Sequence, residues 1–503
     1  MKERETVGIS KKNGNGSPGA DPTHPVHHER ERILATRPII PLLLSFSIPT
    51  ILSMTVHALY GFVDRMWIGR MSDGGAAMAG VGLTLPLTTI AFAFMALVGI
   101  GSTALISIKL GQKKYEDAKM VLGNCLSFSM IVGAVIGVLF YIFADELVPL
   151  FGSSAESLPH ALSYIRMLMI FNMANSVQFA MSSTMRGVGH PLWSVMTQII
   201  GAVVNMIFDP IFILKEYTFR FFSVEWTMDF GLGLGVKGGA IATGIAQCVS
   251  LGIVILFFAG KISPVPLLFR ALRPRWSVLR KAFAIGMSAF AMQSTASIVQ
   301  AIMTRQLTSL GGDIAVAGMM MVTSVAMLAL MPIIGIGHGV QPIIGYNYGA
   351  GNYRRVRRAL FASVVFATIF TVAGAVVIQT RSVEIATLFD DPDVIELGAP
   401  AMRIVMMVLP LLGLQIMGGH YFQFIGRSVV SLILTLMRQA IILLPLYLIL
   451  PRFFGLQGMF YATPVSDAIT IAVTAVVLSF EMRRLSMLIR GQKAVGKAEG
   501  TAA

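Results

Sequence analysis

The apolar residues of this chain fall into long uninterrupted runs of 20 or more positions, and the polar residues crowd into short connections between them. About 20 apolar residues in a helix cross the hydrocarbon of a bilayer, so each run predicts a membrane-spanning helix. Twelve are predicted, over 38–63, 76–104, 119–143, 158–185, 192–214, 236–260, 278–308, 315–346, 357–380, 398–425, 428–450 and 457–481. The chain reads as an all-α integral membrane protein.

The connections test that count. Residues 261–281, KISPVPLLFRALRPRWSVLRK, hold six basic residues and no acid. Residues 352–358, NYRRVRR, hold four arginines, and 109–119 holds four lysines against two acids. Alternate connections invert the bias: Asp145, Glu146 and Glu156 flank one of them, and 381–396 carries five acids against one arginine. Basic loops stay on the cytoplasmic side. The alternation therefore predicts cytoplasmic termini and an even number of crossings.

The pattern also repeats. Gly99, Gly101 and Gly111 recur as Gly337, Gly339 and Gly349, and Tyr115 recurs as Tyr353, all displaced by 238 residues. Arg166 matches Arg403 and Gly189 matches Gly426 at 237, and GVKGGAIAT (235–243) matches GLQGMFYAT (455–463) at 220. A hydrophilic insertion near 215–234, present only in the first half, accounts for the lost register. Two six-helix halves follow, 38–260 and 278–485, joined by a basic cytoplasmic linker at 261–277. A polar, disordered tail is expected at 1–37 and a second cytoplasmic tail at 486–503. Because six is even, both halves start from the same side, so the repeat is parallel about an axis along the membrane normal. Such a pair of bundles encloses a central cleft able to open alternately to either side.

Composition supports the membrane reading and narrows the chemistry. With 55% hydrophobic residues, 13% charged and a mean hydropathy of +0.74, a soluble chain of this length is excluded. A net charge of +14 suggests nucleic acid at first sight. The basic residues, however, sit between apolar runs, where they set topology and face anionic lipid, so no nucleic-acid partner is expected. Cys125 and Cys248 lie inside apolar runs and imply no disulfide framework. There is no Gly-rich loop ending in Gly-Lys-Ser/Thr, no HExxH and no paired CxxC. The connections are too short for a catalytic domain. Neither an enzyme nor a cofactor is expected, and energy must come from an ion gradient.

Six pieces, in order across 38–485, then carry a resemblance: FVDRMWIG closing the first run, MRGVGHP before the fifth, NMIFDPIFI within it, GGAIAT opening the sixth, QPIIGYNYGAGN closing the eighth, and LMRQ in the eleventh. Together they resemble the multidrug and toxic compound extrusion (MATE) family. The resemblance implies a monomeric antiporter of the prokaryotic inner membrane, surrounded by lipid, that exports small amphipathic and often cationic compounds in exchange for protons or sodium. The seventh run contains no acid, where another branch of the family places a glutamate. The likeness is therefore to the DinF-like branch, with coupling confined to the N-terminal half.

The fifth run carries the clearest candidate chemistry. Asn205 and Asp209 stand one helical turn apart on the same face, with Pro210 directly behind the acid. A carboxylate at bilayer depth is costly unless hydrated, paired or protonated, and by default marks an ion or proton pathway. Asn205 offers an oxygen to a cation or a donor to the carboxylate, and Pro210 frees the backbone carbonyl of Met206. Asp64 is the other acid embedded beside apolar sequence in the first half, and two nearby carboxylates titrate as a coupled pair. The resemblance joins Asp64, Asn205 and Asp209 with Thr243 into one cation or proton site, the first three being the candidate sodium ligands. The bland alternatives are that Asp209 caps a helix or pairs with Arg166, and that Asp64 forms an interfacial salt bridge with Arg65 or Arg70. The family usually has a small or polar residue where Arg65 stands.

Other embedded polar residues are less specific. Asn172, Asn175 and Gln178 recur at helical spacing in the fourth run and are candidates to line the cleft. Asp467 is either a second relay, a substrate contact, or a structural partner of Arg438. Arg166 and Arg403 are repeat-related and read as structural, and His57, His338 and His420 either shuttle protons or, the preferred reading, pack as hydrogen-bonded residues. The 32 methionines and 31 phenylalanines suit a cavity that repacks around varied apolar cations. Prolines 49, 86, 332, 342, 410, 445 and 464 predict broken or bendable helices. Two alternatives to a drug antiporter stand beside it. One is a lipid-linked precursor flippase on the same fold, which would favour extra spans and a cation-rich cleft. The other is an intramembrane enzyme or channel.

Overall fold

The computed structural model describes residues 32–501 apart from 70, 72–73, 152–155, 222–223, 229–230, 261–262, 264, 268 and 388–391. Most of the expected N-terminal tail, with His24, His27 and His28, lies outside the described residues, as do the side chains of His57, Arg65 and Arg70.

The apolar runs form helices, several of which extend past the ends of the runs. The first half holds α1 (Ile39–Gly69), α2 (Gly74–Gly111), α3 (Tyr115–Ile142), α4 (Ser157–Ile170), α5 (Asn172–Gly187), α6 (Pro191–Ile213) and α7 (Val236–Ala259). The second holds α8 (Trp276–Gly349), α9 (Tyr353–Ala386), α10 (Pro392–Val405), α11 (Leu409–Phe424), α12 (Ser428–Leu436) and α13 (Leu444–Thr501). A π-helical stretch, Met437–Leu443, joins α12 to α13. Backbone angles leave the helical region at Gly312 in α8 and at Gly455 in α13, so each of those helices is two crossings end to end. Joining α4 to α5 and α10 to α11 then gives twelve crossings, six in each half. The 215–234 insertion departs from the all-helical expectation: it holds a small antiparallel hairpin, β1 (Tyr217–Phe221) against β2 (Val224–Met228). The last helix runs on to Thr501, through the stretch expected as a C-terminal tail.

The internal repeat is visible in the geometry. Gly189 and Gly426 each turn the chain with positive φ, 86° and 78°, before the fifth and eleventh crossings. The fourth crossing breaks at Phe171 and the tenth near Val408, and α10 and α11 meet at 55°. Pro410 explains the second break, because it lacks the N–H that would continue the ladder. The first break has no proline.

The repeated glycines of the sequence lie where the halves meet. A Cβ on Gly111 of α2 would fall 1.9 Å from the Tyr346 carbonyl oxygen of α8, and a Cβ on Gly349 of α8 would fall 2.1 Å from the Ile108 carbonyl oxygen of α2. The two contacts are mirror partners across the repeat. Backbone meets backbone there, and only hydrogen fits.

This end of the molecule, which carries the basic connections, holds one continuous apolar core drawn from both halves, including Leu42, Ile106, Leu122 and Met185 from the first and Ile343, Leu360, Tyr421 and Leu485 from the second. Toward the opposite end the larger clusters divide. One around Leu307, Val322 and Met402 belongs to the second half, and others around Ile68 and Ile165 belong to the first. The halves are thus knit together at the basic end and packed separately toward the other.

The linker is also packed. Asn124 of α3 donates through Nδ2 to the Ala271 carbonyl at 3.1 Å and accepts from the Arg275 amide at 2.5 Å, while Ser127 donates to the Leu272 carbonyl at 2.6 Å.

Gly111→Ala and Gly349→Ala are each expected to destabilise the protein by about 1–3 kcal/mol, because a methyl forced against backbone overpacks the seam. Gly252→Ala, where nothing lies within 4 Å, is expected to be neutral. Thermal unfolding in detergent measures all three.

Candidate functional site

Helices α6 and α7 lie side by side. Ser250 Oγ donates to the Thr197 carbonyl at 2.8 Å, close to Gly201, where a Cβ would meet that hydroxyl at 2.4 Å. One turn beyond Gly201, Asn205 is fully buried, and Asp209 is fully buried a turn further on. Asn205 Nδ2 donates to Asp209 Oδ1 at 2.9 Å and reaches Thr243 Oγ1 on α7 at 3.4 Å.

Asp64 enters from α1 and is 6% exposed. A Cβ on Gly239 of α7 would lie 3.1 Å from Asp64 Oδ1, so that glycine leaves the room the carboxyl occupies. Gly239 is one turn from Thr243 on the same helix. The residues expected to form one site, Asp64, Asn205, Asp209 and Thr243, therefore do converge, from three helices. An apolar cluster of Trp67, Ile68, Ile213 and Val236 adjoins them.

Two oxygens in this group, Asn205 Oδ1 and Asp209 Oδ2, are buried with no hydrogen-bond donor. A buried acceptor left without a partner costs about 1–3 kcal/mol. Oxygen donors from carboxyl, amide and hydroxyl groups suit a proton or a hard cation rather than a soft metal. Among the described residues no three His, Cys, Asp or Glu side chains converge as a metal cluster.

The alternative partners named from the sequence are engaged elsewhere. Arg166 is ion-paired with Asp145 near the surface. Asp467 accepts from Arg438 Nε at 2.8 Å, and Ser466 Oγ donates to the Arg438 carbonyl at 2.8 Å. Arg438 lies in the π-helical stretch, whose extra residue per turn re-aims side chains. Asn172 donates to the Gly133 carbonyl of α3 at 2.8 Å, inside its own half, while Gln178 is buried and Asn175 half-buried. His420 stacks on Phe424 and abuts Gly337.

The second half carries a closed version of the site. Thr463, the repeat-mate of Thr243, bonds the Tyr447 hydroxyl at 3.0 Å, and that hydroxyl also reaches Met303 Sδ at 3.6 Å. The stretch 440–450, AIILLPLYLIL, supplies no acid or amide there.

Two polar clusters escaped the sequence reading. Arg186 in MRGVGHP is 3% exposed and donates to Ser194 Oγ at 2.6 Å and Ser183 Oγ at 2.8 Å. Glu481 is buried and ion-paired with Arg427 at 2.5 Å, with the Tyr421 hydroxyl donating to it at 3.3 Å. The only available clue was that an arginine and a glutamate stood at the margins of apolar runs.

A two-lobed bundle of twelve crossings, closed at one end and holding a buried carboxyl site in one lobe, is the architecture of an alternating-access membrane transporter. A family model described as MatE matches residues 49–211 and 288–449. The chain belongs to the MatE family. It is 24% identical over 445 residues to the multidrug export protein MepA of Staphylococcus haemolyticus (strain JCSC1435), an alignment covering 88% of this chain and 94% of that protein. Among solved structures it is similar to the MATE multidrug transporter DinF-BH, at 33% identity and a TM-score of 0.81, covering 90% of this chain and 97% of that one. The fold is shared with an outward-facing MATE family transporter of the MOP superfamily, at a TM-score of 0.79, 24% identity, and coverage of 89% and 96%.

Arg438→Ala is expected to lower stability by roughly 3 kcal/mol by leaving the Asp467 carboxylate buried without its partner. The double variant Arg438→Met with Asp467→Leu is expected to recover most of that loss. The thermal midpoint in detergent reports both.

Proposed function

We propose that this protein is a cation-coupled multidrug antiporter of the prokaryotic inner membrane, exporting small amphipathic and often cationic compounds in exchange for protons or sodium ions bound at Asp64, Asn205, Asp209 and Thr243. The observation that carries this reading is the pair of buried, donor-free oxygens, Asn205 Oδ1 and Asp209 Oδ2, beside a second carboxyl in a membrane-spanning lobe. An incoming proton or sodium ion supplies what those oxygens lack. Its release returns negative charge to an apolar setting, which favours the next cation to arrive, whether coupling ion or substrate. The relatives support the substrate class, since MepA is a multidrug export protein and DinF-BH is a multidrug transporter.

The basic connections support an orientation with cytoplasmic termini. In that orientation the end where the halves share a core is the cytoplasmic end, and substrate leaves from the other. The flippase alternative gains nothing at this site, whose ionisable groups are both acids.

Dye efflux from vesicles containing the purified protein, under separately imposed proton and sodium gradients, tests the reading and identifies the ion. The expected outcome is that one gradient drives efflux and that Asp209→Asn abolishes the driven component. Asn205→Ala, which removes an oxygen ligand and the donor that orients Asp209, is expected to weaken dependence on the coupling ion roughly 10-fold or more. Undiminished gradient-driven efflux in Asp209→Asn removes that residue from coupling.

A further inference from the structure

A cavity of about 580 Å³ opens on the outer surface of the bundle at its basic end, at the seam between the two halves. Its first wall is residues 38–41 at the start of α1, in the N-terminal half. Its second is Arg357, Arg358 and Phe361 in the opening turns of α9, and Met482 of α13 closes it. Both walls are therefore at the edge of the hydrocarbon, where helices begin. Ile40 is 64% exposed and Phe361 66% exposed, as expected of side chains that face lipid.

The groove has two chemical parts. Pro38–Pro41, Phe361, Ala362 and Met482 supply an apolar lining, and Arg357 and Arg358 add two guanidinium groups to it. Arg357 Nη1 donates to Ser486 Oγ at 3.2 Å, while Arg358 is exposed, with no carboxylate against it among the described residues. The nearest acid in sequence to Met482, Glu481, is committed to Arg427, Arg484 and Tyr421. The lining thus offers two positive charges and no negative one.

A trough of this kind at the bilayer margin complements one molecule: a phospholipid with an acyl chain for the apolar wall and an anionic headgroup for the guanidinium groups. We propose that this groove binds a single anionic phospholipid across the seam between the halves. The same seam is already tied by Arg355, whose Nη2 donates to the Leu34 carbonyl at 3.0 Å and the Arg37 carbonyl at 2.8 Å, and by Asn347, whose Nδ2 donates to the Leu34 carbonyl at 3.1 Å. A lipid touching α1, α9 and α13 at once has its full set of contacts only while the halves meet at this end. It therefore favours that conformation to the extent of its differential affinity. The inference depends on the membrane-spanning fold and not on the cation site.

The test is lipid binding to the purified full chain, read by native mass spectrometry with delipidated protein titrated with phosphatidylglycerol or with phosphatidylcholine of the same acyl chains. One phosphatidylglycerol is expected to bind in preference to phosphatidylcholine. Arg358→Gln, which breaks no hydrogen bond or ion pair among the described residues, is expected to weaken that binding about fivefold, the effect of one arginine at a membrane surface. Arg357→Gln with Arg358→Gln is expected to weaken it further. Inorganic phosphate added in excess is expected not to displace the lipid, since the apolar trough holds the chain. Equal binding of the two lipids, undiminished phosphatidylglycerol binding in Arg358→Gln, or displacement by phosphate alone would each overturn the proposal. None of these outcomes depends on whether Asp209 couples transport.

Discussion

The carboxyl group of Asp209 is buried in the interior of a membrane-spanning lobe and is held there by one side-chain donor, Asn205. Water cannot hydrate it cheaply at that depth, and no arginine among the described residues neutralises it. The surrounding architecture follows from that constraint. The polar residues Asn205 of α6 and Thr243 of α7 face each other, Gly239 leaves space for the Asp64 carboxyl, and the side chains of Ile68 and Ile213 pack beside that glycine. Two oxygens of the site, Asn205 Oδ1 and Asp209 Oδ2, are left without a donor.

Such a site can drive transport only if the protein around it has two stable arrangements. The packing differs between the two ends of the molecule. At the basic end the halves share a core, and the repeated glycines bring backbone against backbone. Toward the opposite end their apolar clusters are separate. The two lobes share a fold but not a chemistry, since the position opposite the acidic site is occupied by Tyr447 and Thr463.

Sequence alone determined the twelve crossings, their division into two parallel halves, and the identity of the acidic residues in the first half. These are properties of composition along one dimension: an apolar run of about 20 residues is a helix because only a helix satisfies a segment's backbone hydrogen bonds within the segment itself. The pairing of Asn205 with Asp209 was legible for a similar reason, since residues four apart on a helix must share a face.

Tertiary structure decided what distant segments do to one another. It set Asp467 against Arg438 and Arg166 against Asp145, turned Asn172 toward Gly133, folded the 215–234 insertion as a hairpin, and docked the linker on Asn124. It also showed why Gly111 and Gly349 recur, as two contacts of one symmetric seam. A buried polar group takes whichever partner lies within about 3 Å, and that distance is fixed by helix packing in three dimensions, which the spacing of residues along the chain does not encode.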